Sequence, residues 1–168
     1  MQHALPTPDL IAPLLAWSQA HVDERLNGIL VNWYDGALGH KIGAHRDDEK
    51  ELLAGAPIVT ISFGEHRTFR LRRWKERDNG HDIKVADASV LVLPYATNMA
   101  FTHEVPASKR LTGRRISVTI RAFTPEPACD QHRALAPDAD GLRGQAVAVL
   151  DEVAHHVPEL TRHFCGTE

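Results

Sequence analysis

The chain has 168 residues, 43% of them hydrophobic, which suits one domain with an ordinary core. A formal net charge of −3 gives no global pull toward nucleic acid or an anionic membrane. No apolar run is long enough to span a bilayer, and Met1-Gln2-His3-Ala4-Leu5-Pro6 lacks a basic-then-apolar secretory signal. Two cysteines make no disulfide framework, so a reduced cytoplasmic setting is expected.

In chain order, residues 7–21 predict a helix. Thr7 can cap it, Pro8 suits its first turn, and Leu10, Leu14 and Trp17 recur at helical spacing. Pro13 is awkward inside such a helix and predicts a kink. Short strands follow at 29–33, 42–45, 57–63, 68–72, 89–93 and 115–123, punctuated by Asp35-Gly36, Gly64, Asn79-Gly80 and Thr112-Gly113. One helix followed by many short strands predicts a mainly β (α+β) fold, a β-sandwich or jelly roll with helical support. Past Phe123 the composition shifts. Thr124-Pro125-Glu126-Pro127 reads as a linker, and 141–164 as an amphipathic helix carrying Val147, Leu150, Val153 and Val157, broken or kinked at Pro158. The expected division is a 1–123 domain and a 124–168 linker with a C-terminal helical extension. In that extension Cys129, Cys165 and the histidines His132, His155, His156 and His163 match no zinc spacing.

Four polar signals stand out in the strand-rich part: His45-Arg46-Asp47, His103, Arg115 and Arg121. With 11 histidines, a chance His-x-Asp is expected, and His21-Val22-Asp23 is such a decoy. It ends the predicted helix, where residues two apart do not share a face. His45 and Asp47 lie beside a predicted strand, where they do. His66 and His81 compete with His103 as the distant ligand. His103 is preferred because Met99-Ala100-Phe101 precedes it and the arginine strand follows. Two histidines and a carboxylate can hold iron(II) by one triangular face, leaving three positions open. The arginines can grip a carboxylate co-substrate there. Together these are the minimum apparatus of an oxygenase that uses iron(II) and 2-oxoglutarate.

Strict alternation in 115–121 puts Ile116, Val118 and Ile120 on one side, and Arg115, Ser117, Thr119 and Arg121 on the other. A strand with one face in solvent has the same pattern. The two arginines are about 20 Å apart along extended backbone at ~3.3 Å per residue. They cannot fork one carboxylate together and are expected to have separate jobs.

Asn32-Trp33-Tyr34, His45-Arg46-Asp47-Asp48-Glu49, Pro57-Ile58-Val59-Thr60-Ile61-Ser62-Phe63-Gly64, His103-Glu104-Val105-Pro106 and the 115–121 strand together resemble AlkB-type dioxygenases. The likeness runs over residues 8–123 and is nearest to members that read H-R-D-D-E. It implies a double-stranded β-helix (jelly roll) that holds iron(II) through His45, Asp47 and His103. It implies that Asn32, Tyr34, Arg115, Thr119 and Arg121 hold 2-oxoglutarate, with dioxygen as second co-substrate. It further implies oxidation of an alkylated base in DNA or RNA, which releases an aldehyde and the free base. The alternative is the same chemistry on a protein side chain or small metabolite. A binding module without chemistry is a third possibility, disfavoured by the intact His45, Asp47, His103, Arg115 and Arg121.

Substrate contacts are expected at Asp48 and Glu49, although an Asp-Asp-Glu-Lys-Glu run is also an ordinary solvated one. Arg67, Arg70, Arg72, Arg73, Lys75 and Arg77 cluster around Phe69 and Trp74, with Glu76 the one acid among them. Of these, Arg70, Arg72 and Arg73 are the candidates for tracking a phosphate backbone beside a stacked base. A charge-guarded hairpin edge is the other reading. Three departures from the family stand out. Residues 1–7 precede the helix where these demethylases carry a base-recognition lid, Ser117 stands where asparagine is usual, and 124–168 has no counterpart. A short lid argues against tight capture of a flipped base.

Overall fold

The computed structural model describes residues 7–48, 50–76 and 80–124. Glu49, Arg77, the rest of the predicted linker and the predicted C-terminal helix lie outside the described residues. The elements run α1 (Ala12–His21), β1 (Gly28–Asp35), β2 (Ile42–His45), β3 (Ile58–Gly64), β4 (Arg67–Arg73), β5 (His81–Val85), β6 (Ser89–Leu93), α2 (Tyr95–Ala100), β7 (Phe101–Val105) and β8 (Arg114–Arg121). The fold is mostly β. One four-stranded antiparallel sheet has the order β1-β8-β3-β6 and the other β2-β7-β4-β5. Among the described residues no helix is long and apolar enough to cross a membrane.

The N-terminal helix starts later than its sequence pattern predicts. The Pro8 carbonyl accepts from the Ile11 and Ala12 amides in a preceding turn, and α1 begins at Ala12 with Pro13 in its first turn. A proline there loses no helical hydrogen bond, so Pro13 marks a start rather than a kink. Ile11 and Leu14 pack on the first sheet.

Register decides what each face of that sheet does. Ile29, Ile120 and Val59 align across three strands, as do Val31, Val118 and Ile61, and Trp33, Ile116 and Phe63. This face joins α1, Leu26, Ala56 and Ala122 in the main core. Val59, Ile61, Phe63, Ile116, Val118 and Ile120 are at most 1% exposed. At roughly 1.5–3 kcal/mol per large apolar side chain, this layer dominates stability. The opposite face carries Tyr34 beside Arg115, and Asn32, Ser117 and Ser62 in one row. Because β8 lies between β1 and β3 and faces the second sheet, its polar side is buried too: Arg115, Ser117 and Arg121 are all under 9% exposed. The solvent-facing alternative for this strand is therefore ruled out.

A second apolar cluster of Tyr34, Phe69, Val85 and Val105, with Ile42, Leu71 and Leu91 against it, joins the two sheets. The chain passes between sheets at the β3–β4 corner. Gly64 takes a φ of 82° there, and a Cβ would sit 2.5 Å from the Arg114 carbonyl. Glu65 accepts from the Gly113 amide and pairs with Arg67 at 3.2 Å. Arg67 is 2% exposed and also reaches the Gly113 carbonyl, so this member of the basic cluster braces the corner.

Candidate metal and co-substrate site

The second sheet supplies both histidines. His45 on β2 and His103 on β7 are direct antiparallel partners, so their side chains emerge on the same face and their rings lie 4.3 Å apart. The His45 Nδ1–H donates to the Gly43 carbonyl at 2.8 Å, which leaves Nε2 as the lone-pair nitrogen. The His103 ring stacks on Phe69 at 5.4 Å and 15°. Phe69 is thereby buried as a support for His103, away from any role in stacking a base.

Asp47 follows β2 in a loop, 6% exposed, with Oδ1 3.7 Å from His45 Nε2 and Oδ2 3.6 Å from Arg121 Nε. One donor atom from each of His45, Asp47 and His103 lies within 4.8 Å of the other two. Two imidazole nitrogens and one carboxylate oxygen, converging from three chain positions, fit iron(II) with coordination sites to spare. Among the described residues no other His, Cys, Asp or Glu group achieves this, so His66 and His81 stand outside the site. The decoy separates as expected, since Asp23 is taken up by Arg25 at 2.6 Å.

The first sheet supplies the candidate co-substrate residues. Arg115 is 1% exposed, lies over the Tyr34 ring at 4.9 Å and donates through Nη2 to Ser62 Oγ at 2.9 Å. Its Nε and Nη1 have no hydrogen-bond partner among the described residues. A buried guanidinium with two open donors is costly unless an acceptor arrives, and a carboxylate fits it as a two-pronged partner. Burial lowers the Arg115 pKa and raises that of Tyr34, which keeps the phenol a neutral donor beside the cation. Asn32, Tyr34, His45, Asp47, His103, Arg115, Thr119 and Arg121 all line one cavity that is partly open to solvent. Arg121 meets the metal end beside Asp47, and Arg115 lies at the Tyr34 end, which gives the two arginines separate places.

The substrate candidates are placed less uniformly. Asp48 is exposed and lines an adjoining cavity with Leu52, Tyr95 and Met99. Arg70 spends two nitrogens on Asp82, at 2.5 and 2.7 Å, and Arg72 pairs with Glu104 at 3.2 Å. Arg73 is the most open of the three, its side chain 61% exposed near Glu76. Trp74, 42% exposed, carries the Arg46 guanidinium 4.1 Å from its ring centre. Sequence reasoning gave no role to Arg46, which ties the loop of Asp47 to the hairpin through Trp74 and to α2 through the Met99 carbonyl. It also passed over Asn98, whose buried amide bonds both backbone groups of Asp47 across a separation of 51 residues. Neither contact leaves a local signal.

The sequence profile of the 2OG-Fe(II) oxygenase superfamily matches residues 2–121. DNA oxidative demethylase ALKBH2 of Homo sapiens is 33% identical over 120 residues, covering 65% of this chain and 46% of its own. The Mus musculus protein of that name is 35% identical over 109 residues, with 61% and 45% covered. Alpha-ketoglutarate-dependent dioxygenase alkB homolog 3 of Rattus norvegicus is 27% identical over 134 residues, with 73% and 45% covered. The chain thus spans less than half the length of these relatives. The solved structure of OsALKBH1 aligns with a TM-score of 0.48 at 18% identity, covering 70% of this chain and 65% of that one. Since the profile match takes in both histidines, Asp47 and both arginines, the chain belongs to the 2OG-Fe(II) oxygenase superfamily as an AlkB-like member.

Proposed function

We propose that this chain carries an iron(II)- and 2-oxoglutarate-dependent dioxygenase that oxidatively removes alkyl groups from bases of DNA or RNA. The observation that carries the reading is one cavity holding both the three converging donor atoms and the open Arg115 donors. Two facing four-stranded sheets, with β8 bridging β1 and β3, support the double-stranded β-helix as its scaffold. Iron(II) with 2-oxoglutarate and dioxygen would supply, when bound, the oxidation of a carbon–hydrogen bond. His45, His103 and Asp47 would hold the metal. Arg115 and the Tyr34 hydroxyl would bind the distal carboxylate, Arg121 would add positive charge at the metal end, and Asn32 and Thr119 would offer neutral hydrogen bonds. Phe69 and Val105, both buried, give the cavity wall an apolar side.

The nucleobase substrate is supported by the relatives named as DNA oxidative demethylases and by exposed Arg73, Trp74 and Lys75 on the hairpin. A protein or metabolite substrate is the second reading, favoured by the pairing of Arg70 and Arg72 with acids of this same chain. The test is aerobic incubation with iron(II), ascorbate, 2-oxoglutarate and methylated oligonucleotides, following base and succinate by mass spectrometry. Methyl loss matched by succinate is expected. Succinate without methyl loss would move the search to proteins and metabolites, and the absence of both methyl loss and succinate would overturn the reading.

A further inference from the structure

The two histidines of the candidate metal site are fixed by a strand ladder, but Asp47 lies two residues beyond the end of β2. Asn98 on the short helix α2 supplies its anchor. The Asp47 amide donates to Asn98 Oδ1 at 3.1 Å, and Asn98 Nδ2 donates to the Asp47 carbonyl at 2.7 Å. The amide side chain thus satisfies both backbone groups of one residue, as a neighbouring strand would. Only asparagine and glutamine carry a donor and an acceptor in one planar group suited to this, and aspartate would meet the carbonyl with another acceptor. Asn98 is 2% exposed, so water does not compete for these bonds. The anchor matters because Arg121 lies as close to the Asp47 carboxylate as His45 does, at 3.6 against 3.7 Å. A carboxylate on an unanchored loop could turn toward the guanidinium and away from the histidines.

We propose that Asn98 is a positioning residue for the metal site, holding the Asp47 backbone so that the carboxylate converges with His45 and His103. The proposal rests on the reading of those three residues as metal ligands. Its test is a double-mutant cycle read by Ni(II) affinity in calorimetry. Ni(II) is the probe because it binds imidazoles tightly enough for two histidines alone to give a measurable constant. Asn98→Ala should weaken Ni(II) binding about 10- to 100-fold, the usual cost of losing a group that orients a ligand. In an Asp47→Ala background the same change should alter affinity by less than about twofold, the additivity error of such cycles. Equal losses in both backgrounds would make Asn98 a general folding residue and overturn the proposal. A loss for Asp47→Ala with none for Asn98→Ala would also overturn it, leaving the metal site standing. Unchanged affinity in Asp47→Ala would remove the metal site itself and the proposal with it. Should Asn98→Ala not fold, Asn98→Ser keeps a polar group too short to span both backbone partners and carries the same expectations.

Discussion

Arg115 is the residue in which burial and charge are most at odds. Its guanidinium is almost wholly enclosed, yet two of its nitrogens meet no acceptor among the described residues. Arg115→Lys keeps the charge but turns a planar fork into a point donor. Losing one charge-assisted hydrogen bond, worth about 1.5–3 kcal/mol, should weaken 2-oxoglutarate binding by roughly 10- to 100-fold. Calorimetry on Mn(II)-loaded protein measures this, and an unchanged affinity would place the carboxylate grip elsewhere. On the hairpin, the Arg70 hydrogen bond holds the Asp82 carboxyl below its ordinary value of 3.8. A depressed carboxylate pKa stabilises the fold above the unfolded value, and that contribution fades as pH falls through the folded one. The Asp82 side chain is half exposed, so the effect is small and salt-sensitive. In Arg70→Ala, an NMR titration should find the Asp82 carboxyl back in its ordinary range. If it stays depressed, another cation holds it.

At the scale of elements, the β3–β4 corner is where one sheet becomes two. Gly64 there has a left-handed φ and no room for a Cβ beside the Arg114 carbonyl. Gly64→Ala should cost about 1–3 kcal/mol, seen as a lower denaturant midpoint with an unchanged slope. An unaltered midpoint would mean the corner relaxes freely. The strands read most readily from sequence are the alternating or β-branched apolar runs bounded by turn residues, expected at 57–63, 89–93 and 115–123 and found at Ile58–Gly64, Ser89–Leu93 and Arg114–Arg121. Strand β5, with His81, Asp82, Ile83 and Lys84 all exposed, has too little apolar patterning to announce itself. Helix α2 has six residues, and β7 places a histidine and a glutamate between Phe101 and Val105, so neither shows a clear period. The convergence of His45, Asp47 and His103 was nonetheless legible, because donor chemistry and chain order survive where periodicity fails. Asn98 was not, since its partner is local only in space.

For the whole molecule, the candidate ligands all belong to β2, the loop after it and β7. The four-residue strand β2 lies at the edge of its sheet and pairs with β7 through an irregular register. A metal ion there would pin that strand to its neighbour. Mn(II) at 100 times its dissociation constant should therefore add about 2.7 kcal/mol of stability, removed by chelator. Thermal unfolding with and without EDTA tests this, and Asp47→Ala should show a much smaller gain. An equal gain in Asp47→Ala would locate the ion at other residues. A different constraint comes from β8, whose six peptide steps separate Arg115 from Arg121 and whose two edges are both hydrogen-bonded into ladders. That spacing is a gauge with fixed marks. No single side-chain change can lengthen it, because shifting either arginine along the strand would slip two registers at once and carry Ile116, Val118 and Ile120 out of the core. On the proposed reading, altered preference for longer or shorter diacids would therefore have to come from the walls, through residues such as Ser117 and Thr60, rather than from the clamp.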